Sequence, residues 1–477
     1  MKTIFVSGNF NILHPGHLRL LRFARELGDK LIVGVHSDRA GGSDIHVPES
    51  LRLEGIRSNS WVTEAILIDE PVTEVIKKLK PDVVVKGKEH IDFHNPELDV
   101  LKEYGGELLF SSGEVIFSSL DLIRKDLTDF DNLWRQFPEE YIKRHGFSSK
   151  DLIEIVKKME SLKVCVIGDL IVDEYITCDP LGMSQEDPTI VVTPVDTQKF
   201  IGGSGIVAAH AANLGAKVEF FTVTGKDEER NFVEKELKNY KVNNNLFIDE
   251  NRPTTVKQRY RSQGKTLLRV SHLHQGSISS ELQKSLYKEV EKKLSDMDLI
   301  VYSDFNYGCL PQPLVDLLVK KSQELGIVQA ADSQCSSQIG DISRFKGMNL
   351  LTPTEHEARI SLGNQEDGLV VIAENLCDRS DAQNIIIKLA GEGILIHSKD
   401  KKLESKTDRL PALNDNPKDV AGAGDSMLIA SALTIAAGGT FGQAAAIGSF
   451  AAGLQISRLG NQPLEKQEIL RALRAVK

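Results

Sequence analysis

The sequence predicts an α/β protein of two domains, each a mostly parallel sheet flanked by helices, joined by a helical connection. Three observations lead there. Short β-rich apolar runs alternate with amphipathic helical stretches from Thr3 onward. Strand, helix and strand follow one another within residues 3–38, the spacing of a parallel crossover. After a polar interval broken by Pro138 and Gly146, the same alternation resumes at Lys163 and continues to the end.

In order, residues 3–8 form a first strand and residues 17–27 a helix, with Leu18, Leu20 and Leu21 set apart from Arg19, Arg22 and Arg25. "KLIVGVHSD" and "DVVVKG" are further strands, and residues 1–125 form the first domain. Residues 126–160 read as a linker with short helices of its own, in which "SSKD" before "LIEIVKKM" has the form of a helix N-cap. Residues 161–477 form the larger domain, opening on "KVCVIGDLIVDEY" and continuing through "VEFFTVTG", "DLIVYSD", "IVQAADS", "GMNLLTP" and "NIIIKLAG". The alternating, turn-rich interval 250–275 predicts a small β lid over a cleft.

The chain has 477 residues, of which 41% are hydrophobic and 26% charged, the balance of a globular protein with buried cores. A net charge of −10 argues against general nucleic-acid or membrane-surface binding. The five cysteines (Cys165, Cys178, Cys309, Cys335 and Cys377) show no C-x-x-C spacing, so reduced thiols in a cytoplasmic protein are expected. No charged, cleavable leader opens the sequence. No apolar run reaches the ~18 residues a membrane span needs.

The first candidate site is "GNFNILHPGH", where His14 and His17 bracket a strand-to-helix junction. A helix N-terminus presents unpaired N–H groups and partial positive charge to phosphate. Pro15 suits the first helical position, and Gly8 and Gly16 permit close approach of a triphosphate. Two imidazoles there can stabilise charge as pyrophosphate departs; the alternative is a pair of capping or surface histidines. This stretch resembles the H-x-G-H signature of the cytidylyltransferase-like nucleotidyltransferases, and the likeness extends over residues 1–125. It implies a Rossmann-like nucleotidyltransferase domain with His14 and His17 catalytic. It further implies that Gly8, Asn9 and Phe10 lie at the nucleotide. Through "LRLEGIRSN", Arg52 and Arg57 become phosphate ligands; through "PDVVVKGKEH", Lys86 and Lys88; through "EVIFSSLDLI", Ser118 and Ser119. The family's usual aspartate after the phenylalanine is here Asn11, which leaves ATP and CTP both open as the nucleotide.

The second candidate site is "DVAGAGDSM". Small residues let successive N–H groups converge on an anion, and Asp425 after them can take a proton from an attacking hydroxyl; the alternative is a glycine-rich turn with an N-capping aspartate. Residues 163–477 resemble the ribokinase-like (PfkB) sugar kinases. The resemblance implies a ribokinase-like α/β domain with Asp425 as base and Ala423 and Gly424 in the anion hole. It implies sugar contacts from Asp169 and Asp173 in "VIGDLIVDEY" and from Gly202 and Gly203 in "KFIGGSGIVAAHAANLGA". Glu357 in "LLTPTEHEA" is implied near Mg2+, and Lys388, Gly391 and Gly393 of "KLAGEG" lie where a nucleotide-binding turn is expected. Asp304 and Asp332 stand at cleft positions. Ile206 and Thr354 replace two asparagines of the family pattern.

Together the halves resemble the bifunctional heptose-7-phosphate kinase/heptose-1-phosphate adenylyltransferases, which make ADP-heptose for bacterial lipopolysaccharide, with the domain order reversed. The resemblance implies sugar phosphate and NTP substrates, Mg2+ and a homodimer. Two alternatives stand beside it: a cytidylylating enzyme for another sugar or polyol phosphate, and a kinase half kept as a non-catalytic sensor.

Overall fold

The computed structural model describes residues 2–13, 15–40, 45–87, 95–111, 137–262, 265–335, 340–400, 406–414 and 417–475. The chain divides into two compact units, Met1–Phe130 and Asp131–Lys477.

The first unit is a five-stranded sheet of β1 (Thr3–Gly8), β2 (Lys30–His36), β3 (Glu64–Ile68), β4 (Val83–Gly87) and β5 (Glu107–Ser111), in the order β3-β2-β1-β4-β5. All four pairings are parallel. Side chains alternate across the sheet. Ile4 and Val6 pack with Leu21 and Ile56 from the helices Pro15–Glu26 and Glu49–Arg57. Phe5 and Ile32 pack on the other face with Ile76 and Leu101 from the helices Val72–Leu79 and Glu97–Lys102. Strand order reverses between β1 and β4, and ligands of open α/β sheets bind in the crevice at the strand ends there. The ends of these two strands are Gly8 and Gly87.

The second unit has a nine-stranded sheet of β6 (Lys163–Gly168), β9 (Lys217–Thr224), β10 (Asn243–Ile248), β13 (Leu299–Asp304), β14 (Val328–Ser333), β15 (Leu350–Leu351), β16 (Asn384–Lys388), β17 (Ile394–Ser398) and β18 (Thr407–Leu410). Their order is β10-β9-β6-β13-β14-β15-β16-β17-β18. The last two pairings are antiparallel. A separate four-stranded sheet, in the order β12-β11-β7-β8, forms the lid from β7 (Leu170–Met183), β8 (Ile190–Gly203), β11 (Thr255–Ser262) and β12 (Lys265–His272). The expected lid interval therefore supplies two of its strands. Of the other two, β7 begins inside what reads as a single opening strand: the chain breaks at Asp169 and leaves the core sheet as a long hairpin, whose return strand β8 lies beyond that stretch. The helices Ala423–Ala436 and Phe441–Gln455 are almost wholly apolar and buried, and approach closely where Ser431 donates to the Ala444 carbonyl at 3.0 Å.

Residues 137–160 are built into this unit. Phe137 stacks on Phe450 at 5.1 Å, and the Tyr141 hydroxyl donates to the Gly442 carbonyl at 3.1 Å. Arg144 grips Asp408 with two hydrogen bonds, at 2.9 and 3.0 Å. Ser148 caps the helix Ser149–Lys158 through a capping box with Asp151, as "SSKD" foretold.

Candidate active sites

In the first unit the loop after β1 sits at the topological switch point. Gly8 stands at its start, where a Cβ would make a tight contact of 3.3 Å with the Phe10 ring. Phe10 is buried, adopts a left-handed φ of 49°, and meets the His17 ring edge-on at 5.0 Å. His17 Nδ1 lies 3.1 Å from the Ile12 carbonyl. A carbonyl can only accept, so Nδ1 carries the proton. Asn9 Oδ1 accepts from His36 Nδ1 at 2.9 Å. His36 titrates below the usual histidine range, first because it is buried and then because Arg52 is near.

Arg52 departs from the expected phosphate contact. Its side chain is fully buried and donates to the carbonyls of Val47, Asn9 and His36 at 2.7, 2.7 and 2.8 Å, and to Asp38 at 2.7 Å. These bonds fix the loop that carries Asn9. Arg57 is exposed. Lys86, at the end of β4, pairs with the buried Glu97 at 3.0 Å. Asn11 is buried and accepts from the His46 amide at 3.0 Å. His14, Lys88, Ser118 and Ser119 lie outside the described residues.

In the second unit a cleft of about 1050 Å³ brings together Asp173, Gly203, Glu357, Lys388, Gly391 and Gly393 with Ala423, Gly424 and Asp425. Gly422, with φ 75°, turns the chain into the helix Ala423–Ala436, so the first-turn N–H groups and Asp425 share one helix end. Asp425 is buried and accepts from the Gln334 amide at 3.2 Å. Burial, then the nearby charge of Asp332, raises its pKa to about 7, the range a general base needs. Lys388 lies against Gly424, where an added Cβ would stand 3.1 Å from Nζ. Its ammonium pairs with Asp332 at 2.8 Å, and Asp332 Oδ1 is buried with no hydrogen-bond partner. Burial opposes the Lys388 charge, but Asp332, Glu357 and Asp425 together hold its pKa above the usual lysine range.

At the sugar end, Asp173 is held by Asn461 at 3.0 Å and by Arg259 at 3.3 Å. Gly202 leaves room for it: a Cβ at 202 would fall on its carboxylate. Asp169 is turned away from the expected sugar contact. It accepts the amides of Phe305, Tyr307 and Cys309 at 2.9, 3.1 and 3.0 Å, and so braces the loop after β13. Asp304 is likewise held, by Ser333 at 2.7 Å and Arg344 at 2.8 Å. Glu357 closes a capping box with Thr354 and accepts from the Cys335 amide at 3.1 Å. Thr354 is the N-cap of the helix Glu355–Leu362. Ile206 is buried in the helix Ser204–Asn213 as a core residue. Gln334, Asn461 and Arg259 were not singled out from the sequence. The alternation K-Q-R-Y-R in β11 was a visible signal for Arg259; Gln334 and Asn461 had none.

Residues 5–155 match the cytidylyltransferase-like family model, and residues 161–467 match the pfkB carbohydrate kinase model. Among curated relatives, a protein named bifunctional protein HldE from Shewanella piezotolerans is 29% identical over 317 residues, covering 66% of this chain and 64% of the relative. Its namesake from Campylobacter jejuni subsp. doylei is 30% identical over 314 residues, 64% of each chain. The matched region thus spans a little under two thirds of these relatives' length. Among solved structures, a Thermotoga maritima ribokinase superposes with a TM-score of 0.52 at 18% identity, covering 66% of this chain and 99% of that one. Escherichia coli phosphofructokinase-2 does so with a TM-score of 0.53 at 14% identity, covering 66% and 98%. At such identities these structures speak to the fold alone. The pfkB model covers well over half of the sequence and reaches across the cleft, the lid and the Asp425 helix: the chain belongs to the pfkB family of carbohydrate kinases.

Proposed function

We propose that the chain is a bifunctional transferase that phosphorylates a heptose 7-phosphate at its anomeric hydroxyl and adenylylates the resulting sugar 1-phosphate, giving ADP-heptose. The observation that carries the kinase half is Asp425, buried at a helix N-terminus inside the cleft with a pKa near neutrality. The anomeric O–H gives its proton to Asp425, the oxygen attacks the γ-phosphorus of ATP, and ADP leaves. Lys388 and the amides around Ala423 and Gly424 meet the charge on the transferring group. Gln334 holds one carboxylate oxygen of Asp425 and leaves the other to the substrate. Mg2+ suits the donors present, since the carboxylates of Glu357 and Asp332 are hard oxygen ligands near the anion hole. When bound with nucleotide, it would neutralise phosphate charge. Among the described residues no cluster of three His, Cys, Asp or Glu side chains forms a protein cage, so phosphates and water would complete its coordination.

In the first unit a sugar 1-phosphate oxygen attacks the α-phosphorus of the nucleotide, and pyrophosphate leaves beside His17 and His14. Lys86 supplies further positive charge. A separate hydrolytic step must remove the 7-phosphate between the two reactions. The five cysteines are free thiols, and no helix among the described residues is long and apolar enough to cross a membrane; we place the enzyme in the cytoplasm. The β7–β8 ribbon exposes Leu181, Met183, Ile190 and Val195, which supports a homodimer formed through the lids. The test is to incubate the protein with ATP or CTP and a panel of sugar phosphates, following ADP and pyrophosphate separately. Both products with heptose phosphates and ATP are expected. Pyrophosphate from CTP with another acceptor would replace this substrate assignment, and binding without turnover would overturn the enzyme reading.

A further inference from the structure

We infer that the segment Phe137–Phe147 is a clasp on the nucleotide end of the kinase cleft, in which Arg144 is a positioning residue for ATP through Asp408. This rests on the kinase reading above and adds an element that the carbohydrate kinase match does not contain. That match begins at residue 161, and residues 137–147 fall instead within the stretch that matches the cytidylyltransferase-like model. The structure nevertheless builds them into the second unit.

Two walls of the cleft meet this segment. One is the loop after β18, where Pro411, Ala412 and Leu413 line the cleft; the other is the helix Phe441–Gln455, from which Ser449, Ala452 and Gly453 do so. Asn414 stitches the two together, donating to the Gly453 carbonyl at 3.1 Å. Strand register places these walls at the nucleotide. Lys388, which meets the transferring phosphate, pairs with Ile394, and Ile394 pairs with Leu410, so the wall continues outward from that lysine over β17 and β18. The sugar end lies instead at the lid, with Asp173. β18 is four residues long and stands last in its sheet, so the ladder holds it from one side only. The clasp supplies the other hold. Arg144 forks onto Asp408 of β18, Nε to Oδ2 at 2.9 Å and a terminal nitrogen to Oδ1 at 3.0 Å, and His145 Nε2 lies 3.0 Å from Oδ2. A two-pronged contact fixes orientation as well as distance. The helical wall is held by the same segment: Phe137 stacks on Phe450, beside Ser449, and a Cβ at Gly442 would stand 2.6 Å from the His145 ring. The Arg144 side chain is 45% exposed, which limits its worth to global stability and leaves placement of the wall as its main effect.

Calorimetric titration of the full chain with ADP reads the clasp without turnover. ADP is the kinase product, and the reaction proposed for the first unit neither uses nor releases it. Arg144→Gln and Asp408→Ala should each weaken ADP by about three- to tenfold, with the double variant no weaker than Asp408→Ala alone. In ADP release, KM for ATP should rise by the same factor while kcat stays within about twofold of the parent and KM for the sugar phosphate is unchanged. Tyr141→Phe, which loses a hydrogen bond in the same segment, should bind ADP as the parent does. Parent-like ADP affinity in both folded single variants would overturn the clasp, as would fully additive losses or an equal loss in Tyr141→Phe. ADP binding that depends on Arg144, in a protein that forms no ADP from ATP with any sugar phosphate, would sink the kinase reading and leave the clasp standing.

Discussion

Asp425 offers the sharpest quantitative prediction. Burial and the Asp332 carboxylate move its pKa from 3.8 to about 7. A base works as the carboxylate, so kcat/KM for ADP release should rise about tenfold per pH unit below that value and level off above it. Asp425→Asn should lower the rate by about 10²–10⁴. The same shift acts on stability with the opposite benefit. A carboxyl whose folded pKa is raised leaves the native state holding the proton after the unfolded chain has lost it, so stability falls as pH rises from about 4 to about 7. At 1.36 kcal/mol per unit the ceiling is about 4 kcal/mol. Asp425→Asn should therefore be inactive yet more heat-resistant than the parent at pH 8, with the gap closing toward pH 4. The assay is coupled ADP release between pH 5.5 and 8.5 beside thermal melts over pH 4–8. A flat rate profile, a variant within tenfold of the parent rate, or a variant less stable than the parent at pH 8 would refute this reasoning. The phosphate of a sugar phosphate also titrates near pH ~6; a limb persisting in the residual rate of Asp425→Asn would belong to the substrate.

Two further substitutions separate scaffold from chemistry. Arg52→Met leaves the carbonyls of Asn9, His36 and Val47 and the Asp38 carboxylate without their donor, and should cost roughly 3–5 kcal/mol; calorimetry should show an early transition and loss of pyrophosphate release, with ADP release kept. Tyr141→Phe deletes the buried bond to the Gly442 carbonyl and should cost about 1 kcal/mol in chemical denaturation without changing ADP kinetics.

Much of this was legible because the relevant signals are local. Short continuous apolar runs mark β1 and β6, and the small residues before Asp425 mark a helix start. What failed was non-local. Asp169 and Asp173 sit on one stretch of sequence, yet one braces a backbone loop and the other faces the cleft. The difference is set by the chain leaving the core sheet at residue 169, and by the amides of residues 305–309 arriving from far along the sequence. Arg52 reads as a phosphate ligand because the sequence shows its charge but not its carbonyl partners. Gln334 reaches Asp425 across 91 residues, and Asn461 reaches Asp173 across 288, separations that no short window contains.

Two independent phosphate sites on one chain can be separated by assaying His17→Ala and Asp425→Asn side by side for both products. His17→Ala is expected to lose pyrophosphate release and keep ADP formation, while Asp425→Asn does the reverse when sugar 1-phosphate is supplied. Loss of both activities in either variant, with the protein still folded, would contradict it.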